Sequence, residues 1–280
     1  MVKSKATILK NLLDLHELLV VPGVSDCISA RLVEKAGFKA VYVSGYSVSA
    51  SFLGKYDMGV VMLNEQATIA GNIAQCVDIP VICDGDIGFG SGSEANVART
   101  VKMYQQLGIA GMQLDDMEEE CCPYIGQEFR TAPIEKVLKR INAARNATKN
   151  DFCLFVTCSV FGKDRRPEAI SRIKEYMEAG ADAVSIPPLN IDDMRFWGEE
   201  AQKQHFSKPI ISVACPPDCT PTIQELEKWG YKFIWVPLGN LYSAAYSQKL
   251  FLEELKNSGI THNHKAMIEH KEFLNLLTTY

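Results

Sequence analysis

The sequence predicts a (β/α)8 barrel, a TIM barrel, built as one domain over residues 1–280. Three observations predict it. Eight short runs rich in Val, Ile, Leu and Ala recur along the chain, with helical periodicity between them. The runs are apolar throughout rather than alternating, which suits parallel strands buried on both faces. Several helical stretches close on Gly just before the next run, as in EKAGFKAV, QQLGIAGM and MEAGADAV, and Gly is the usual helix stop.

The chain opens on MVKSKATILKNLLDLHELLVVPG, too polar for a signal peptide and patterned as a short amphipathic helix. Strands are then expected at LLVVPG (18–23), AVYVSG (40–45), PVICDGD (80–86), GMQLDD (111–116), FCLFVTC (152–158), AVSIPP (183–188), PIISVAC (209–215) and FIWVPL (233–238). Segments such as PEAISRIKEYMEAGA and TPTIQELEKWGY supply the helices. Eight such units in about 250 residues match the size of a barrel. After the last strand, SAAYSQKLFLEELKNSG and HNHKAMIEHKEFLNLLTTY read as two helices. Residues 258–280 thus form a helical extension whose apolar stripe (Met267, Phe273, Leu274, Leu277) needs a surface to cover, on its own barrel or a neighbour's. A doubly wound open sheet is the alternative. Its nucleotide-binding G-x-G-x-x-G is absent after the first strand, and GFGSGS follows the third with the wrong spacing.

Composition narrows the partners. Hydrophobic residues are 47% and charged residues 22%, an ordinary composition that can build a large core. The net charge of -5 and the lack of a long basic run argue against nucleic acid and anionic membrane. No apolar run reaches the roughly 20 residues that span a bilayer. Nine cysteines, an odd count without any C-x-x-C pair, read as small core hydrophobes in a reduced, cytoplasmic protein.

The stretch that carries chemistry is VICDGDIGFGSGSEANVARTVKMYQQLGIAGMQLDD, residues 81–116. Two successive strands end in acids, Asp84-Gly85-Asp86 and Asp115-Asp116. In a barrel the C-terminal strand ends form the active face. Asp84 and Asp86, two apart, are expected to point the same way from a strand. Crowded carboxylates repel unless a cation joins them, and Mg²⁺ takes a few carboxylates while keeping sites for water and substrate. Asp84, Asp86 and Asp115 are therefore the candidate ligands of Mg²⁺, with Mn²⁺ as the alternative. The plainer reading is a set of solvated strand-end acids or helix caps. Ser91 or Ser93 is expected to cap the next helix, and Tyr42 and Trp235 to be barrel core or pocket lining.

DGDIGFGSGSEANVARTVK, the upstream PGVSDCISARLVEKAGFKAVYVSGYSVSASFLGKYDMG and the later CTPTIQELEKWGYKFIWVPLGNLYSAA closely resemble the isocitrate lyase and phosphoenolpyruvate mutase superfamily. The resemblance implies a (β/α)8 barrel with a C-terminal helix swapped between paired subunits, a dimer of such dimers, and Mg²⁺ held by acids matching Asp84, Asp86 and Asp115. Ser44, Gly45 and Tyr46 match the segment that holds the substrate's carboxylate and 2-oxygen, and Asp57 matches an acid beside the reacting centre. The implied chemistry is cleavage or formation of a bond at C3 of a 2-oxo or 2-hydroxy acid through an enolate.

The match breaks on the far side of the pocket. The lyase branch carries a Lys-Lys/Arg-Cys-Gly-His loop after strand four, where this chain has MEEECCPYIGQEFRTAPI. Cys122, or its neighbour Cys121, is the candidate thiol, and the glutamates before it would raise its pKa and suit a proton donor. Arg130 is the candidate loop cation for substrate contact. On strand five Thr157 is the candidate substrate contact, standing where the family has an anion-clamping Arg, a loss that no hydroxyl reproduces. SIPPLN on strand six has prolines where relatives place Glu or His. The reading that results is a Mg²⁺-dependent carbon–carbon lyase for a small-molecule substrate unlike the usual ones. The alternatives are a phosphonopyruvate-type mutase or hydrolase, and a non-catalytic ligand-binding barrel.

Overall fold

Each of the eight apolar runs becomes a parallel strand, and in a computed structural model they close in chain order, β1 to β8, with β8 returning to β1. The structure describes residues 3–15, 17–119, 130–149, 151–214, 220–259, 261–262 and 267–277. The first half runs α1 (Lys5–Leu13), β1 (Leu19–Val24), α2 (Cys27–Lys35), β2 (Val41–Val43), α3 (Gly45–Val48), α4 (Leu63–Cys76), β3 (Val81–Asp84), α5 (Glu94–Gln106) and β4 (Gly111–Asp115). It continues with α6 (Ile134–Ala147), β5 (Cys153–Thr157), α7 (Arg166–Glu178), β6 (Ala183–Ile186), α8 (Ile191–Gln204) and β7 (Ile210–Val213). It ends with α9 (Ile223–Trp229), β8 (Phe233–Val236), α10 (Gly239–Ser258) and α11 (His270–Leu277).

The apolar runs serve two cores. Outward residues such as Val41, Val81, Met112, Leu154 and Val184 pack under the helices with Ile73, Tyr104 and Ile141. Inward residues alternate with them, and the register stacks these in layers of four from alternate strands. Val21, Ile82, Phe155 and Ile211 form an apolar layer. Above it lie Tyr42, Gln113, Ser185 and Trp235, then Gly23, Asp84, Thr157 and Val213. Leu9 of α1, fully buried with Ala6, Leu12 and Leu13 against the inner cluster, closes the opposite end. There Asp182 ties three elements together, pairing with Lys10 and Arg145 and accepting the Leu154 N–H at 2.8 Å.

Most strands stop one or two residues before their expected ends, and two of those ends shape the site. β2 stops at Val43, because Ser44 and Gly45 turn into α3. β3 stops at Asp84, and Asp86 has a positive φ of 46°. Strand alternation therefore does not orient Asp86; a turn does. Gly85 makes that turn fit, since a Cβ there would lie 2.7 Å from the Gln113 carbonyl oxygen.

The C-terminal helices also divide their roles differently. α11 lies on α2 of its own chain, where Arg31 donates to the Leu276 carbonyl and Lys35 pairs with Glu272 at 3.4 Å. Leu276 is its buried residue, while Met267, Leu274 and Leu277 of the expected stripe stay exposed. α10 is the helix with no buried residue: it meets β1, where Asn240 donates to the Gly23 carbonyl at 2.8 Å, yet over its 20 residues Tyr242, Tyr246, Leu250 and Leu252 are exposed. Beside β1 and β8 lies an apolar groove lined by Val20, Pro22 and Val236 of the strands, Leu32 of α2, Phe38, and Gly239 and Asn240 at the start of α10. Among the described residues no helix is long and apolar enough to cross a membrane.

Candidate metal centre

The Gly-rich turn after β3 is pinned by α5, whose Ser93 caps the helix through the Asn96 N–H at 3.3 Å. Thr100 donates to the Gly88 carbonyl at 3.0 Å, and Tyr104 donates to the Asp84 carbonyl at 2.6 Å. These bonds hold the end of β3 against β4, where the Asp115 N–H donates to the Asp86 carbonyl at 2.7 Å. The result brings one carboxylate oxygen from each of Asp84, Asp86 and Asp115 within 4.8 Å of one another.

Each acid has its own support. Asp84, 8% exposed, accepts the Gly45 N–H at 3.0 Å and the Asp86 N–H at 3.2 Å. Burial raises its pKa above the ordinary value, and those two N–H groups pull it partly back. Asp115 accepts the Gln113 side-chain amide at 2.8 Å and a hydrogen bond from Thr157. Burial, then the charge of Asp84, push it up to about 8. Protonation is how crowded buried acids relieve repulsion when no cation joins them. An all-oxygen set of this kind fits a hard divalent ion such as Mg²⁺, and lacks the His and Cys donors typical of zinc.

The predicted substrate residues divide. Ser44 is 5% exposed, Gly45 is buried and Tyr46 is half-buried, all where β2 meets α3. A Cβ on Gly45 would stand 3.2 Å from Asp84 Oδ2 and 3.5 Å from Asp57 Oδ2, so Asp57, itself buried, borders the same space. Thr157, expected as a substrate contact, is instead linked to the acids: it bonds Asp115 and receives the Ser185 hydroxyl at 3.0 Å. Arg130 is not brought to the centre. Its side chain is 69% exposed and pairs with Glu119 at 3.0 Å and Glu118 at 3.7 Å, beside the Met117–Thr131 bridge. Cys121 and Cys122 lie outside the described residues.

Two residues escaped the sequence reading as ligand supports. Tyr42 donates to Gln113 at 2.9 Å and also bonds Asp84, while Gln113 carries the chain on to Asp115. Each sits two residues before a predicted site residue, Ser44 or Asp115, so strand alternation alone places them on the inner face. Asp116, the other half of the strand-four pair, faces outward. Fully buried, it accepts the Ser159 N–H and the Tyr176 hydroxyl, each at 2.9 Å, and burial pushes it up to about 6. It ties the end of β4 to the residues after β5 and to α7.

Comparison with known proteins agrees with this architecture. The family model for phosphoenolpyruvate phosphomutase matches residues 9–254. The chain is 31% identical to 2,3-dimethylmalate lyase of Eubacterium barkeri over 98% of its own length and 94% of the relative's. It is 33% identical to the chloroplastic carboxyvinyl-carboxyphosphonate phosphorylmutase of Arabidopsis thaliana, over 95% of this chain and 79% of that one. Among solved structures, oxaloacetate acetylhydrolase bound to 3,3-difluorooxalacetate superposes with a TM-score of 0.88 at 26% identity, covering 98% of this chain and 93% of that one.

Proposed function

The chain belongs to the phosphoenolpyruvate phosphomutase family, within the isocitrate lyase superfamily of lyases and mutases, and from that premise we propose a Mg²⁺-dependent carbon–carbon lyase working through an enolate. The observation that carries the proposal is the convergence of Asp84, Asp86 and Asp115 at the active mouth of the barrel. These three residues would hold the ion, Mg²⁺ or Mn²⁺. A divalent cation bound there supplies positive charge against the enolate that develops as a bond to C3 breaks.

The chain's own groups do the rest. Ser44, Gly45 and Tyr46 hold the carboxylate end of a 2-oxo or 2-hydroxy acid. Asp57, beside Gly45 and Asp84, positions the reacting group. Gln113 and Thr157 fix the Asp115 carboxylate through their hydrogen bonds. Cys122 is the proposed carrier of the proton at C3. The phosphonopyruvate-type mutase or hydrolase remains the second reading, favoured by the match to a phosphorylmutase. A non-catalytic barrel would have no use for Asp57 kept beside the three acids.

We also propose a homo-oligomer in which α10 crosses to the partner and fills its apolar groove beside β1 and β8. A helix with no buried residue and an apolar groove beside its first turn, on one chain, support that exchange. The proposed compartment is the cytoplasm, in keeping with the free thiols of Cys27, Cys76, Cys83, Cys153 and Cys158.

Oxalate tests the proposal, because its two oxygens mimic a pyruvate enolate on a metal. Calorimetry should show oxalate binding that requires Mg²⁺ and disappears in Asp84→Ala. Binding that ignores both the ion and the substitution would overturn it.

A further inference from the structure

On the enolate reading above, we infer that the substrate carries one carboxylate only, and that its C3 is bonded to an uncharged, hydrocarbon-bearing carbinol carbon, which leaves as an aldehyde or ketone while the bond's electrons stay on the enolate and the carbinol proton passes to a base. The upper inner layers of the barrel have two unlike halves. Strands β2 to β4 contribute Asp84, Asp115 and the amide and phenol that support them. Strands β5 to β8 contribute Thr157, Ser185, Val213 and Trp235, followed on β6 and β8 by Pro187 and Pro237. No member of that second wall bears a charge.

Its polar atoms are already committed or neutral. The Ser185 hydroxyl donates to Thr157 at 3.0 Å, and Thr157 bonds Asp115 in turn. The hydroxyl pair therefore serves a metal-side acid and is not set out as a cradle for an anion. Trp235 is stacked on Tyr42 with ring centroids 4.7 Å apart, and its indole N–H has no partner among the described residues. Of the wall residues named above, Trp235 keeps an uncommitted donor, and it is a neutral one.

Cations elsewhere do not make up the deficit. The loops that follow the strands contain four, Lys55, Arg130, Lys163 and Arg165, and all are exposed. Arg130 and Arg165 pair with Glu119 and Glu168. Arg166, at the start of α7, pairs with Asp193 at 2.9 Å and lies over the Phe196 ring. Residues 120–129 and 215–219 contain no Lys, Arg or His in their sequence. A second carboxylate or a phosphonate on the substrate would lie against that wall with no cation to meet it, in a buried site where an unpaired anion is costly. An alkyl group set against the uncharged residues of that wall costs nothing in charge.

The test uses two 2-hydroxy acids of the same shape. Racemic malate and racemic 2-hydroxy-4-methylpentanoate differ by a carboxylate in place of an isopropyl group. Each is titrated into the Mg²⁺-loaded protein in competition with oxalate. The expected result is at least tenfold tighter binding of 2-hydroxy-4-methylpentanoate. Thr157→Arg, which places a cation in the neutral wall, should narrow or reverse that preference if the variant folds. Malate binding as tightly as its neutral twin in the wild type overturns the inference while oxalate still binds. Failure of oxalate itself removes the enolate reading, and this inference with it.

Discussion

Gln113 joins the two sides of the metal centre, and replacing it tests whether the acids need their supports. Gln113→Leu keeps much of the side-chain volume but removes the amide that donates to Asp115 at 2.8 Å and accepts from Tyr42 at 2.9 Å. A hydrogen bond to an ionised carboxylate contributes about 1.5–3 kcal/mol. Its loss frees Asp115 to turn on its remaining Thr157 bond and strands a buried tyrosine hydroxyl on Asp84 alone. At about 1.4 kcal/mol per tenfold, metal affinity should fall roughly 10- to 100-fold, the range seen when supports of metal ligands are removed. The assay is Mn²⁺ titration followed by the free-ion paramagnetic signal, with Mg²⁺ competition and circular dichroism to check the fold. A folded Gln113→Leu that binds Mn²⁺ within threefold of wild type would refute the reasoning. Tyr42→Phe, which leaves the Gln113 amide in place, should weaken binding less.

Other outcomes follow from the same geometry. Asp182→Asn should cost about 3 kcal/mol by stranding Lys10 and Arg145, a fall in Tm of roughly 6–12 °C for a chain of this size. Burial alone would raise the Asp182 pKa, but the charge of Arg145 and the hydrogen bond from Lys10 bring it below its ordinary 3.8. Its contribution is therefore present above that pH, and the gap between wild type and variant should close as acid protonates the folded carboxyl, as pH-dependent thermal melts would reveal. Leu250→Asp on α10 should dissociate the proposed oligomer, read as a lower mass by light scattering; an unchanged mass would rule out the helix exchange. Cys122→Ala should lower kcat with little change in KM, whereas Cys121→Ala should leave both near wild type; the opposite pattern would assign the proton to Cys121.

The barrel was legible in the sequence because its signal is local and repeated. Each apolar run, closed by a Gly-ended helix, marks a strand without reference to any distant residue. The strand-end acids were legible for the same reason: Asp84 and Asp115 stand where an apolar run stops, on the face that barrel topology makes active. What the sequence left open depends on contacts between elements. Asp86 reaches the centre through a turn at positive φ that alternation did not predict. Asp116 turns away from its twin because successive strand residues face opposite sides, and Tyr176 and Ser159 wait on the other one. Thr157 looked like a vacated anion clamp, but only closure of β5 beside β4 and β6 shows its hydroxyl joined to Asp115 and Ser185.

The ends of the chain divide in the same way. Periodicity alone predicts that α1, α10 and α11 are helices, since spacing of apolar residues along one segment suffices. It does not determine what they cover. α1 seals the barrel because Leu9 finds an open layer beneath Leu19 and Phe233, and α11 stays on its own α2 through Arg31. α10 is left with apolar residues in solvent. The sequence by itself determined which residues are strands, which are helices and which acids end the strands. Only tertiary structure decided which carboxylates converge, which hydroxyls serve them and which helix keeps no residue buried, because those are facts about distances between residues far apart in the chain.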